Sequence, residues 1–114
     1  MSAVNAVTDA EIEALAATAR PFSLVRLSWA PGRHQPGADA IEREHQRRMV
    51  SLRAEGTIAV LCPVQSDGLC GVAILTQTPE QARETMAADP CVQAGMMTVD
   101  VLPCVGFPGD SLPS

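Results

Sequence analysis

The strongest constraint on the fold is the order in which strand-like and helix-like patterns follow one another along the chain. Four stretches are rich in β-forming residues and show the apolar runs or alternation typical of strands. They cover Phe22–Trp29, Thr57–Gln65, Leu69–Gln77 and Met96–Leu102. Helical patterns separate the first strand from the second and the third from the fourth. The order β-α-β-β-α-β predicts an α+β, ferredoxin-like domain with a four-stranded antiparallel sheet and two helices on one face.

Capping and turn residues set the expected boundaries of the first half. We expect Asp39 to cap the first long helix, and Gly56 to occupy the position just after its end. Ser66, Asp67 and Gly68 form the expected hairpin turn, in which Gly68 supplies a positive φ.

The second long helix has an equally clear beginning. Thr78 fits its N-cap and Pro79 its first helical position. Because proline disfavours helix at the preceding residue, we expect the helix to end near Asp89-Pro90, with a short turn after it.

The chain divides into three predicted segments. Residues 1–21 form an N-terminal helical extension, opened by a capping box at Thr8 and expected to pack on the surface. Residues 22–103 form the α+β domain. Residues 104–114, rich in Pro and Gly, form a C-terminal tail.

Composition excludes several classes of function. The 114 residues suffice for one domain, and a hydrophobic content of 46% argues against disorder. A net charge of −5 without a basic tract argues against nucleic acid or an anionic membrane as partner, and 3% aromatic residues leave little for base stacking. No apolar run approaches the length of about 20 residues that a membrane helix needs, and no signal-peptide pattern opens the chain. We therefore expect a soluble, cytoplasmic protein.

Four cysteines show no Cys-x-x-Cys pair and no Cys/His finger pattern: Cys62, Cys70, Cys91 and Cys104. We expect them to be small apolar core residues rather than metal ligands or nucleophiles. Since no glycine-rich phosphate loop, nucleophile elbow or metal triad occurs either, we expect neither a metal nor another cofactor.

The predicted strands carry apolar residues on both faces, although the two helices cover only one. Examples are Val60, Val72, Ile74 and Val101. A second copy of the chain would cover the open face economically, so we predict a homodimer formed through the sheet faces.

Two polar residues interrupt the apolar stripes of the helices. His45 lies on the stripe that includes Ile41 and Met49, and Asp89 lies on the stripe that includes Met86. A carboxylate at a helix C-terminus is disfavoured by the helix dipole, so Asp89 needs an explanation. The two helices share one sheet face, so His45 and Asp89 can meet as a dyad for general acid–base catalysis, or as a purely structural polar pair.

Other polar residues are weaker candidates for contact with a ligand. Arg26 and Trp29 of the first strand and Arg48 beside His45 are candidate substrate-binding residues. Arg26 also has an ordinary explanation as a paired sheet residue, and Arg48 as a solvated helix residue. His34 lies in a Pro/Gly loop, where solvation is the simplest expectation.

From about Phe22 to Pro103 the sequence resembles the YciI-like proteins, or YCII-related domains, of the dimeric α+β barrel superfamily. The resemblance rests on His45 in a helix that ends at Gly56, on the hairpin around Asp67-Gly68, and on a helix that ends in Asp89-Pro90 and is followed by Ala94-Gly95. Cys62-Pro63 stands where the family usually has Gly-Pro, and Cys91 where an aromatic residue often follows.

The resemblance implies that His45 and Asp89 form an active-site dyad. It also implies a small cofactor-free enzyme, of lyase, dehydrochlorinase or isomerase type, that acts on a small cyclic or aromatic substrate. Two alternatives remain open. One is a non-catalytic dimeric module that binds a small molecule or regulates a partner, and the other is a haem-binding barrel with His45 or His34 as iron ligand.

Overall fold

The computed structural model describes residues 6–114. Helix α1 is followed by strand β1, a 3-10 turn, α2, the β2–β3 hairpin, α3, the short α4 and β4. Their bounds are Asp9–Ala16 for α1, Arg20–Trp29 for β1, Pro31–His34 for the 3-10 turn, Ala38–Ala54 for α2, Ile58–Pro63 for β2, Leu69–Leu75 for β3, Pro79–Ala87 for α3, Pro90–Gln93 for α4 and Met97–Gly106 for β4.

The four strands form one antiparallel sheet in the order β2-β3-β1-β4. Strands β1 and β4, the first and the last in the chain, are neighbours in the sheet, and the hairpin β2–β3 adds to the other side of β1. This confirms the predicted ferredoxin-like α+β arrangement.

The core lies between the helices and one face of the sheet. Fully buried side chains come from alternate positions of β1, such as Val25 and Leu27, and from the inner faces of α2 and α3, such as Met49 and Met86. With no tyrosine and two phenylalanines in the chain, methionine and branched aliphatic residues fill this space. Because His45 and Met49 lie on the same face of α2, burial of that face turns His45 towards the core.

The opposite face of the sheet carries an apolar row that crosses all four strands. Strand register places Val60 beside Ile74, Ile74 beside Leu24, and Leu24 beside Leu102. Within this chain Leu102 is 42% exposed and the other three are half-buried. The expectation of a sheet that is apolar on both faces is thus confirmed at these positions.

The predicted cap of α2 and the predicted β2–β3 turn each need one correction. Gly37, in the left-handed conformation with φ 80°, is the N-cap of α2, and Asp39 lies in its first turn without a capping hydrogen bond. Gly68 does not adopt a positive φ. Instead the Ser66 hydroxyl donates to the Leu69 carbonyl and closes the turn. Gly56, by contrast, has φ 88° after the end of α2, as predicted.

The chain ends also differ from expectation. Helix α1 begins with the predicted Thr8 capping box, but none of its residues is buried. Strand β4 continues past Pro103 to Gly106, because its last residues pair with the beginning of β1 at Arg20–Phe22. The part of the predicted tail before Phe107 is therefore sheet.

Candidate active site

Helix α2 presents His45 to the interior of the molecule. The residue is 9% exposed and lies on the same buried stripe as Met49, one turn further along. Apolar contacts made by this stripe hold the helix on the sheet, so the imidazole position is set by the core rather than by a mobile loop.

Asp89 does not lie at the C-terminus of a helix, as the sequence suggested. Helix α3 ends at Ala87, and Asp89 is the N-cap of the four-residue helix α4. Its Oδ2 accepts hydrogen bonds from the backbone N–H groups of Cys91 and Val92, at 3.0 and 3.4 Å. The carboxylate thus caps a helix N-terminus, where it is favourable, and the expected conflict with a helix dipole does not arise.

The two side chains meet, as the hypothesis of a dyad required. His45 Nδ1 lies 2.8 Å from both Oδ1 and Oδ2 of Asp89, whose side chain is fully buried. An ionised carboxylate can only accept hydrogen bonds, so Nδ1 donates its proton to Asp89. The arrangement fixes the tautomer and leaves Nε2 as the imidazole nitrogen that can exchange a proton with another molecule.

A cavity of about 650 Å³ lies beside this pair. Its walls come from α2 and from the helix-facing side of the sheet. Apolar and aromatic groups include Leu27, Trp29, Met49, Leu61 and Met97, and polar groups of α2 include Glu42, Arg43, His45, Gln46 and Arg47. Because His45 is part of the wall, the pair is open to a molecule bound in the cavity.

The predicted substrate-binding residues are distributed unequally around this cavity. Trp29 is in the wall, and the Arg33 guanidinium lies over its ring at 4.0 Å from the centroid. Arg26 is not brought to the cavity: it lies on the open face of the sheet and pairs with Asp100 at 3.1 Å. Arg48 lies behind the dyad, where it donates to the Thr85 carbonyl, and is neither solvated helix surface nor cavity wall.

His34 lies outside the cavity that contains His45. Together with Arg33, Asp39 and Glu42 it borders a second, more polar recess of about 440 Å³. Glu42 borders both spaces, since it stands one turn before His45 on α2.

Cys91 lies close enough to the pair to suggest a metal site. Ligand atoms of His45, Asp89 and Cys91 all lie within 4.8 Å of one another. However, burial, with a further contribution from the Asp89 carboxylate, raises the pKa of the Cys91 thiol to about 12. Since Asp89 is already engaged by an imidazole and two backbone N–H groups, a cation at this site would have to replace those contacts.

Sequence reasoning missed most of the cavity wall. Glu42 precedes His45 by three residues on α2, so helical spacing alone was enough to place it near His45. Leu61, Pro63 and Gly71 reach the wall through the pairing of β2 with β3. No signal in the sequence gives that register relative to α2.

Comparisons with known proteins support the fold. No protein-family profile matches the chain, and no curated protein matches it. A solved structure that is similar is 5-chloro-2-hydroxyhydroquinone dehydrochlorinase from Burkholderia phenoliruptrix, in complex with 2,5-dihydroxybenzoquinone. The TM-score is 0.52 and the identity 21%, over 71% of this chain and 90% of the dehydrochlorinase. At this identity the similarity establishes a shared α+β fold.

Among residues 6–114, no helix combines the length and the apolar character needed to cross a bilayer.

Proposed function

We propose that the protein is a small enzyme that moves protons on a cyclic or aromatic substrate, with His45 and Asp89 as its catalytic dyad. One observation carries the proposal: an imidazole whose Nδ1 is 2.8 Å from a buried carboxylate stands in the wall of a 650 Å³ cavity. In such a pair the carboxylate fixes the proton on one imidazole nitrogen, and the other nitrogen can exchange a proton with a substrate.

The chemistry follows from this division of the two nitrogens. Nε2 of His45 takes a proton from a hydroxyl or an acidic C–H of the substrate, and Asp89 stabilises the imidazolium that forms. The electron pair left on the substrate then expels a leaving group such as chloride, or shifts a double bond, and the proton returns to substrate or water. Elimination and isomerisation of this kind need no redox group, so the proposed class is a lyase, dehydrochlorinase or isomerase.

The shape and composition of the cavity favour a hydroxylated ring as substrate. The sheet side of the wall is mostly aliphatic and includes Trp29, while α2 contributes polar side chains together with His45. The dehydrochlorinase of similar fold acts on a chlorinated hydroxyhydroquinone. The motif resemblance to YciI-like proteins points the same way.

The test is turnover of a panel of chlorinated hydroquinones, hydroxyquinones and lactones by the wild-type protein and by His45→Gln. We expect the variant to lose about two to four orders of magnitude in kcat/KM, the usual contribution of a general acid–base group. His34→Gln is the matched control, because it makes the same substitution at a histidine that lies outside the cavity containing His45. Full activity of a folded His45→Gln protein would refute the assignment.

A second function is favoured by one specific observation. Asp89 is already fully used in the fold, since it caps α4 and pairs with His45, so the dyad has a structural purpose without any reaction. In this alternative the protein is a ligand-binding module. It predicts that ring compounds raise the melting temperature equally in wild type and His45→Gln, and that neither protein turns them over.

We propose further that two copies associate through their sheet faces. The row formed by Val60, Ile74, Leu24 and Leu102 crosses the whole open face and is incompletely covered within one chain. Contiguous apolar surface of this kind marks a protein interface. The ion pair of Arg26 with Asp100 lies in the next row and supplies charges of both signs to such an interface.

A further inference from the structure

Arg48 occupies an unusual position behind the dyad. Its Nη2 donates to the backbone carbonyl of Thr85 in α3, which anchors the guanidinium between the two long helices. Its Nη1 is buried and, among the described residues, finds no hydrogen-bond partner. That same atom lies 3.7 Å from Oδ1 of Asp89, at ion-pair distance.

The carboxylate of Asp89 therefore lies between two side chains of one turn of α2. His45 approaches it through Nδ1, and Arg48, three residues later, approaches it through Nη1. A guanidinium is charged at every pH at which the protein is folded. The negative charge of Asp89 is thus balanced by Arg48 before His45 accepts any second proton.

We propose that Arg48 is a positioning residue that keeps His45 in its neutral form, with the proton on Nδ1 and Nε2 bare, so that the dyad works as a general base. A second proton on His45 would leave two cations around one buried carboxylate, and a like charge nearby disfavours the charged form. The inference rests on the proposed function only in taking Nε2 as the working atom.

Few other ionisable groups lie near the three side chains His45, Asp89 and Arg48. Those around His45 are Glu42, Arg43 and Arg47 on α2, Cys62 on β2, Cys70 on β3 and Cys91 on α4. Burial raises the pKa of the Cys70 and Cys91 thiols, so they stay uncharged near neutral pH. Glu42, Arg43 and Arg47 border the open cavity, where solvent screens them.

The test follows the His45 ring nitrogens by ¹⁵N NMR across pH 5 to 9. In the wild-type protein at pH 7 we expect the signature of a protonated Nδ1 and a bare Nε2. In Arg48→Gln and Arg48→Met, which remove the cation, the midpoint of the His45 transition should rise. Arg48→Lys keeps a charge there and should stay close to wild type.

Arg53→Gln is the matched control. Arg53 is an exposed residue in the last turn of α2, about two turns beyond His45, and is not part of the cavity wall. Removing this charge should leave the His45 midpoint almost unchanged.

Two results would overturn the inference. One is a doubly protonated His45 in the wild-type protein at pH 7, which needs no variant to detect. The other is an unchanged midpoint in a folded Arg48→Gln or Arg48→Met protein. Neither measurement uses a substrate, so a failure of the proposed enzyme activity and a failure of the Arg48 inference are separate results.

Discussion

At the scale of single residues, the central feature is that one carboxylate has three kinds of partner. Asp89 accepts from His45, from two backbone N–H groups of α4, and lies at ion-pair distance from Arg48. A buried charge is tolerated only where it is paired and hydrogen-bonded, and Asp89 meets both conditions. The residue therefore serves the fold and the site together.

Substitutions of Asp89 separate these two roles. Asparagine keeps a side-chain oxygen that caps α4, whereas alanine removes the cap and leaves His45 without its partner. We expect Asp89→Ala to lower the free energy of unfolding by about 1 kcal/mol more than Asp89→Asn does. Urea unfolding measures both. Asp39→Ala, in the first turn of α2 without a capping hydrogen bond, should have little effect, and equal losses for all three variants would contradict this account.

Cys91 gives the molecule a pH-dependent stability at the alkaline end. Its pKa is raised from 9.0 to about 12, so above pH 9 the unfolded chain releases a proton that the folded chain retains. The free energy of unfolding must therefore fall as the pH rises from about 9 towards 12. The sequence contains no Lys and no Tyr, and Arg does not titrate in this range. Ionisation of the cysteines therefore dominates the change in stability over this pH range.

We expect wild type to lose more stability than Cys91→Ala between pH 8 and pH 10.5, measured by urea unfolding in the presence of a reductant. Cys62→Ala is the control, since Cys62 is exposed and its surroundings change little on unfolding. Parallel losses in wild type and Cys91→Ala would show that burial of Cys91 does not control this pH dependence.

At the scale of elements, the two capping boxes of the chain have different consequences. Thr78 caps α3, whose Ala82 and Met86 are fully buried, whereas Thr8 caps α1, which has no buried residue. A helix that packs on the core transmits the loss of its cap to global stability, while an unpacked helix frays on its own.

Thr78→Ala should therefore lower the free energy of unfolding by about 1 kcal/mol, the usual effect of losing an N-cap. Thr8→Ala removes the same kind of capping box and should leave the urea midpoint within experimental error. If both substitutions had the same effect, α1 would have to be part of the cooperative unit.

The sequence was sufficient for the elements whose ends carry chemical markers. Thr78-Pro79 begins α3, Gly56 follows the end of α2, and helical spacing put His45 on a buried face. The sequence was insufficient to predict the role of Asp89. Helix α3 ends at Ala87 and α4 begins at Pro90, so Asp89 caps the second helix instead of ending the first. The cavity wall contributed by β2 and β3 depends on strand register, which long-range packing decides.

At the scale of the whole molecule, the chain is extended for its length. Its dimensions are 56 × 35 × 23 Å and its radius of gyration 17.2 Å, whereas a compact chain of this length has about 13 Å. Contributors are α1, which has no buried residue, and the far ends of β1 and β4, which pair only with each other.

The proposed dimer is tested by placing a charge in the apolar row of the open face. Leu24→Glu introduces a carboxylate in the middle of that row, and burying it between two sheets would be unfavourable. Analytical ultracentrifugation should show a dimer for wild type and a monomer for the variant. Val50→Glu, at a 57% exposed position of α2, is the control that should remain dimeric. A monomeric wild-type protein would contradict the proposal.

The most direct test of the His45–Asp89 dyad is the rate at which wild type and His45→Gln convert a chlorinated hydroxyhydroquinone, with chloride release as the readout. If the dyad is catalytic, we expect measurable release by wild type and a loss of at least about a hundredfold in a folded His45→Gln protein. Chloride release at the wild-type rate by His45→Gln would contradict it, because the reaction would then not depend on the His45 imidazole.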